Sequence, residues 1–195
     1  YIMLLNNDTV VDAHMLVRLL AVIQPQPDIG IVGPKMLYFD PPNVIWCAGN
    51  QLGRRPWITH RLQAEQPDIR QDEQPRAVDY ITACGILLRR AVIDQIGLLD
   101  PHFFIYYEET DWCFRAQRAG WRILYVPGAR LWHKVSAAMG TTSPATDYYM
   151  NRNLYLFLAK NRQGLLRPFL LGAVLVRQLP AIAAYSVKPH AGART

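Results

Sequence analysis

Tyr1-Ile2-Met3-Leu4-Leu5-Asn6-Asn7-Asp8-Thr9 is an unbroken apolar run that stops on four polar side chains. Five consecutive apolar residues suit a strand buried on both faces. Beyond the polar stop, Val11, Met15, Leu16, Leu19, Leu20 and Ile23 recur at helical spacing until Pro25 and Pro27. Those prolines end the helix, because the ring removes a backbone donor and clashes with the preceding turn. Strand, polar turn and helix in that order open a layered α/β domain.

The same alternation continues along the chain. Residues 29–32 and 35–39 read as strands around Gly33-Pro34, and 44–48 as a third. Residues 49–76 are polar and aperiodic, which predicts a long surface loop of the kind that commonly carries function. Strand character returns over 78–88, around Ala83-Cys84-Gly85, and a short helix over 90–96 is closed by Gly97. The aromatic run Phe103-Phe104-Ile105-Tyr106-Tyr107 leads into Glu108-Glu109-Thr110-Asp111, acids that suit the first turn of a helix ending near Gly120. Strands over 121–126 and 129–132 end at His133, and helices are predicted over 146–161 and 165–187. No internal repeat is present.

Composition narrows the class. The 195 residues are 51% hydrophobic and 18% charged, which excludes a disordered tail or a coiled coil. The three cysteines, Cys47, Cys84 and Cys113, form neither a CxxC pair nor an even framework, so reduced thiols are expected rather than disulfides or a thiolate zinc site. The net charge of +6 is unevenly placed. Seven basic and no acidic residues follow Met150, leaving 14 basic against 15 acidic in the first 150. A near-neutral body with a basic end argues against a nucleic-acid-binding face and for an anionic surface near that end.

Three polar positions stand at strand or helix ends, where ligands of α/β sheets collect. Asp8 suits a divalent cation through its hard carboxylate oxygen, although a lone Asp before a helix is far more often a cap than a ligand. Glu108, Asp111 and Arg115 share one helical face while Glu109 points about 100° away. That arrangement predicts Asp111 and Glu108 tied to Arg115 and Glu109 released into a cleft as a general base; complementing the helix dipole is the plainer alternative. His133, beside Trp132, reads as a packed side chain or as a metal ligand that favours Mn²⁺ over Mg²⁺.

These pieces, in order, resemble the family 2 glycosyltransferases of GT-A fold, particularly the rhamnosyltransferase-like branch. The resemblance is carried by Leu4-Leu5-Asn6-Asn7-Asp8-Thr9, by Ala83-Cys84-Gly85-Ile86-Leu87-Leu88-Arg89-Arg90, and by Ile96-Gly97-Leu98-Leu99-Asp100. It continues through Glu108-Glu109-Thr110-Asp111-Trp112-Cys113-Phe114-Arg115, Trp132-His133-Lys134 and Tyr149-Met150-Asn151-Arg152-Asn153. It implies a GT-A-like mixed sheet with flanking helices over 1–162, truncated at the N-terminus, then a basic apolar C-terminal helix over 163–195.

By that resemblance Asp8 and His133 would hold a divalent metal, Mg²⁺ or Mn²⁺, and Glu109 would be the catalytic base. Asn6 stands where the family has the first Asp of its metal motif. Asn6, Cys84, Gly85, Glu108, Trp112 and Arg152 would contact substrate, with Cys84-Gly85 shaping the sugar pocket and Trp112 facing the acceptor. The implied activity is inverting transfer from a nucleotide-sugar donor to a glycan or lipid-linked acceptor for cell-surface polysaccharide. A non-catalytic carbohydrate-binding or scaffolding remnant is the second reading, and a metal-dependent phosphoryl-transfer or hydrolase domain the third. The family's nucleotide-binding strands precede the one that leads to Asp8, so 1–195 alone is expected to bind the donor weakly. Residues 168–176 and 178–187 are uncharged runs too short to span a bilayer. They suit an element lying on the inner face of the cell membrane or a helix packed on the domain, and the enzyme is expected to be cytoplasmic and peripheral.

Overall fold

A computed structural model describes residues 1–53, 59–69, 74–135 and 144–161, together with 168–169, 171–173 and 175–176. Two long strands, β3 (Ile29–Tyr38) and β9 (Arg122–His133), run parallel down its centre, in register from Ile29↔Arg122 to Tyr38↔His133. Each is continuous where the sequence predicts two strands. Pro34 sits inside β3 at a register shift, an irregularity that lets a residue without an amide donor remain in the sheet.

The remaining strands in chain order are β1 (Ile2–Leu5), β2 (Thr9–Val11), β4 (Ile45–Cys47), β5 (Asn50–Leu52), β6 (Thr59–Arg61), β7 (Arg76–Ala77) and β8 (Gly85–Leu88). The main sheet has the order β1-β8-β3-β9-β2, with β4 on β3 and β7 on β9; β5 and β6 form a separate antiparallel pair. Every main-sheet pairing other than β3–β9 is antiparallel, so the sheet is mixed. β1 departs from expectation: it is an antiparallel partner of β8 at one end of the strand order and is only partly buried. An apolar run states that a strand is covered, not by which partner.

The helices are α1 (Met15–Ile23), α2 (Arg90–Ile96), α3 (Glu108–Arg118) and α4 (Pro144–Asn161). Met15, Leu19 and Ile23, spaced by four, are the buried stripe of α1. The predicted helix was to begin at Val11, but residues 9–11 pair with β9 as β2. Asp8 does not cap α1. Asp12 takes the local role, its Oδ1 accepting from His14 N–H at 2.9 Å. The predicted helix over 165–187 lies largely outside the described residues.

A main core gathers Ile31, Val32, Leu87, Trp112 and Leu131 with their neighbours, and a second, smaller cluster joins Phe103 and Tyr107 to Leu154, Phe157 and Leu158 of α4. Residues 59–69 are held down by buried Lys35, which pairs with Asp68 at 2.8 Å, and by Arg130 on the same carboxylate at 3.3 Å. Burying charges is tolerated when they are paired, and this pairing fixes the segment that carries Arg61.

Candidate active site

The polar stop after β1 and the end of β9 meet. Thr9 is opposite His133 in the β2–β9 register, Lys134 N–H donates to Asp8 C=O at 2.9 Å, and Asn6 N–H donates to Cys84 C=O at 3.2 Å. Four side chains therefore converge. His133 Nε2 lies 3.2 Å from Asp8 Oδ2, and Cys84 Sγ lies 3.7 and 3.8 Å from the two imidazole nitrogens. Asn6 Nδ2 donates to the same sulfur at 3.4 Å. Trp46 closes the group, its ring edge-on to the imidazole with centroids 4.6 Å apart.

Burial governs the electrostatics here. It lowers the His133 pKa against the opposing pull of Asp8, favouring the neutral imidazole that a metal requires. Burial also pushes the Cys84 thiol far up, and the next causes are the charges of Glu109 and Asp8. One thiol therefore feels both carboxylates, which brings the acidic helix and the Asp8–His133 pair into a single electrostatic neighbourhood. Asp8 Oδ1 is shielded from solvent and has no hydrogen-bond partner.

On α3 the acids divide differently from the sequence expectation. Asp111, fully buried, takes Arg115 Nε at 2.8 Å, Lys160 Nζ at 2.9 Å and Asn161 Nδ2 at 2.8 Å. Glu108 is not tied to Arg115, whose remaining nitrogens donate to the carbonyls of Ile96 and Leu98. The Oε2 atoms of Glu108 and Glu109 are both shielded and unpartnered. Burial raises the Glu108 pKa. Glu109 is raised to about 8, by burial first and by the neighbouring Glu108 charge second. Glu109 lines a cavity of about 300 Å³ with Trp46, Arg61, Tyr80, Tyr106 and Met150 among its other walls. Arg61 lies 5.1 Å above the Trp46 ring.

Other expected contacts fall elsewhere. Trp112 does not face a cavity: it is 2% exposed, and its indole N–H donates to Gly97 C=O at 2.9 Å. Gly85 is a sheet position at which a Cβ would stand 2.5 Å from Leu131 Cδ2, so its smallness serves strand packing. Arg152 is spent within the chain, donating to His102 C=O at 2.9 Å and to Asn153 Oδ1 at 2.8 Å. No sequence signal assigns a site role to Trp46, Arg61, Tyr106 or Met150. The first two lie in or beside an aperiodic stretch, and nothing local announces that they reach Glu109.

Asp8 Oδ1 and the neutral imidazole of His133 fit a divalent cation, the orphaned oxygen being a hard donor and the nitrogen a borderline one. No cluster of three or more His, Cys, Asp or Glu in metal-holding geometry occurs among the described residues.

The fold matches that of a solved structure, GalNAc-T7 with UDP, GalNAc and Mn²⁺, at a TM-score of 0.55 and 15% identity, over 95% of this chain and 41% of that one. The architecture is thus that of a GT-A-like glycosyltransferase. Glycosyltransferase like family 2 matches residues 1–155, and the chain belongs to that family. Similar proteins include N-acetylglucosaminyl-diphospho-decaprenol L-rhamnosyltransferase of Mycobacterium tuberculosis H37Rv, 27% identical over 71% of this chain and 48% of the relative. The dTDP-rhamnosyl transferase RfbF of Shigella flexneri is 26% identical over 52% of this chain and 37% of its own length. O-antigen biosynthesis protein RfbC of Myxococcus xanthus is 27% identical over 79% and 12% respectively. The chain spans about half or less of the length of these relatives.

Proposed function

We propose that the chain serves an inverting, divalent-metal-dependent glycosyltransferase that moves a sugar from a nucleotide-sugar donor to a glycan or lipid-linked acceptor in cell-surface polysaccharide synthesis. The observation that carries this reading is the convergence of Asp8, His133 and Glu109 around Cys84 and Trp46. The rhamnosyltransferase and O-antigen relatives support it.

Asp8 and His133 would hold Mg²⁺ or Mn²⁺, which would supply Lewis-acid stabilisation of the departing nucleoside diphosphate. Glu109 accepts the proton of the acceptor hydroxyl. Its raised pKa makes it a stronger base than an ordinary carboxylate, near neutral pH where such a group works best. The aromatic walls of the cavity orient the acceptor and exclude water from the base. A base on the acceptor side and a metal on the leaving-group side imply displacement with inversion. The place of action is the cytoplasmic face of the membrane, where the basic residues of the sequence beyond Asn161 meet anionic lipid. No helix among the described residues is long and apolar enough to cross a membrane.

The test is transfer from a dTDP-rhamnosyl donor to a polyprenyl-diphosphate-linked N-acetylglucosamine acceptor, using the protein at its full natural length, with Mn²⁺ present or chelated. Glu109→Gln is expected to lower kcat by about 10²–10⁴-fold, Asp8→Asn to weaken Mn²⁺ binding, and product NMR to give the inverted anomer. Undiminished turnover by Glu109→Gln, or turnover indifferent to chelation, rejects the proposal.

A further inference from the structure

Residues 102–107 lie between α2 and α3, outside helix and sheet, so their carbonyls need donors from elsewhere. Two consecutive residues of α4 supply them. Arg152 Nη2 donates to His102 C=O at 2.9 Å. The carboxamide nitrogen of fully buried Asn153 faces the carbonyls of Phe103, Ile105 and Tyr106 at 2.7, 2.7 and 2.8 Å. Its two hydrogens are shared among three acceptors, and its oxygen is fixed by Arg152 Nη1 at 2.8 Å. The oxygen therefore faces the guanidinium and the nitrogen faces the loop.

The gripped backbone is one that side-chain-bearing residues rarely adopt. Phe104, Tyr106 and Tyr107 have φ of 63°, 66° and 70°, values that persist only where surroundings enforce them. Tyr107 is also the residue from which α3 starts, without a side-chain cap, and its carbonyl accepts from Asp111 N–H at 2.8 Å. The loop thus sets where α3 begins and which way its first turn faces. Glu109 is the second residue of that turn.

We propose that Asn153, with Arg152 as its orienting partner, is a positioning residue that holds the 102–107 loop so that the Glu109 carboxyl is turned into the shielded cavity. The inference rests on Glu109 being the base but is tested without turnover.

The experiment is a carbon-detected NMR titration of the glutamate carboxyls of this chain, with Glu109 assigned by its disappearance in Glu109→Gln. In the unsubstituted protein Glu109 is expected to titrate near 8. Asn153→Leu keeps the volume and removes the amide; its Glu109 midpoint is expected to fall by at least one unit as the loop relaxes and admits water. Leu19→Ala truncates a fully buried residue of α1, in the main core rather than in the cluster that holds Phe103 and Tyr107; it should lower Tm and leave the midpoint in place. An unmoved midpoint in Asn153→Leu, or an equal shift in Leu19→Ala, overturns the proposal. If Asn153→Leu does not fold, Arg152→Ala decides: a fall of half a unit or more supports it, and no change overturns it. None of these outcomes depends on whether Glu109→Gln abolishes transfer, so the two readings fail separately.

Discussion

Glu109 and Asp111 stand two residues apart on one helix and live in opposite regimes. Asp111 is enclosed by Arg115, Lys160 and Asn161, with both oxygens engaged. Glu109 has a shielded oxygen with no partner and a proton affinity raised by burial and by Glu108. A buried carboxylate surrounded by donors belongs to the architecture, whereas one denied them is held ready for a proton. The lock around Asp111 extends through Lys160 to Asp100 at 2.7 Å, so α3 and α4 are fastened only two residues beyond the acid that is left unfastened.

Breaking each side should give opposite signatures. Glu109→Gln is expected to cost about 10²–10⁴-fold in transfer with no loss of stability, read by initial rates and thermal melts on the same preparation. Asp111→Asn should destabilise by on the order of 3 kcal/mol, because Arg115 and Lys160 lose a buried counter-charge; a denaturant titration measures it. If that variant is as stable as the parent, the lock is decorative and the contrast fails.

The pH dependence sharpens the comparison further. Glu109 has a folded pKa of about 8 against an ordinary 4.5, so the folded state binds more proton and its contribution to stability is lost as pH rises from 4.5 through 8. Asp100 is held well below the usual carboxylate range, first by its hydrogen bond to Lys160. Its contribution is present above the ordinary carboxylate pKa and fades as pH falls below it. Melts between pH 3 and 9, scanned on Glu109→Gln and Asp100→Asn, should remove the alkaline and the acid limb respectively. The smallest effect belongs to Trp112→Phe, which strands the Gly97 carbonyl and should cost about 1 kcal/mol without altering acceptor KM; a raised KM would return Trp112 to the acceptor site.

What could be read from sequence follows how local each signal is. Helix α2 matches its predicted span because Gly97 closes it at φ 78°, and α3 announces itself by its acids and by Gly120. β2 is three residues long and its Val11 fits a helical stripe equally well, so periodicity absorbed it. The expected Glu108–Arg115 pair spans seven residues, while Asp111 sits one turn from Arg115 and takes it. Cys84 against His133, and Asp111 against Lys160, are 49 residues apart; no pattern within a window carries such a pairing. Arg152 is visible as a motif residue, but its long-range partner is a backbone carbonyl fifty residues away, which leaves no trace in side-chain spacing.

Trp46 touches both halves of the site, edge-on to the His133 imidazole and lining the cavity that Glu109 enters. An indole is a fluorophore whose emission follows its immediate polarity, and here it stands between the Asp8–His133 pair and the cavity of Glu109. Filling either compartment would change the emission of this indole, so with the other four tryptophans replaced by Phe the order in which the two ligands arrive can be followed optically.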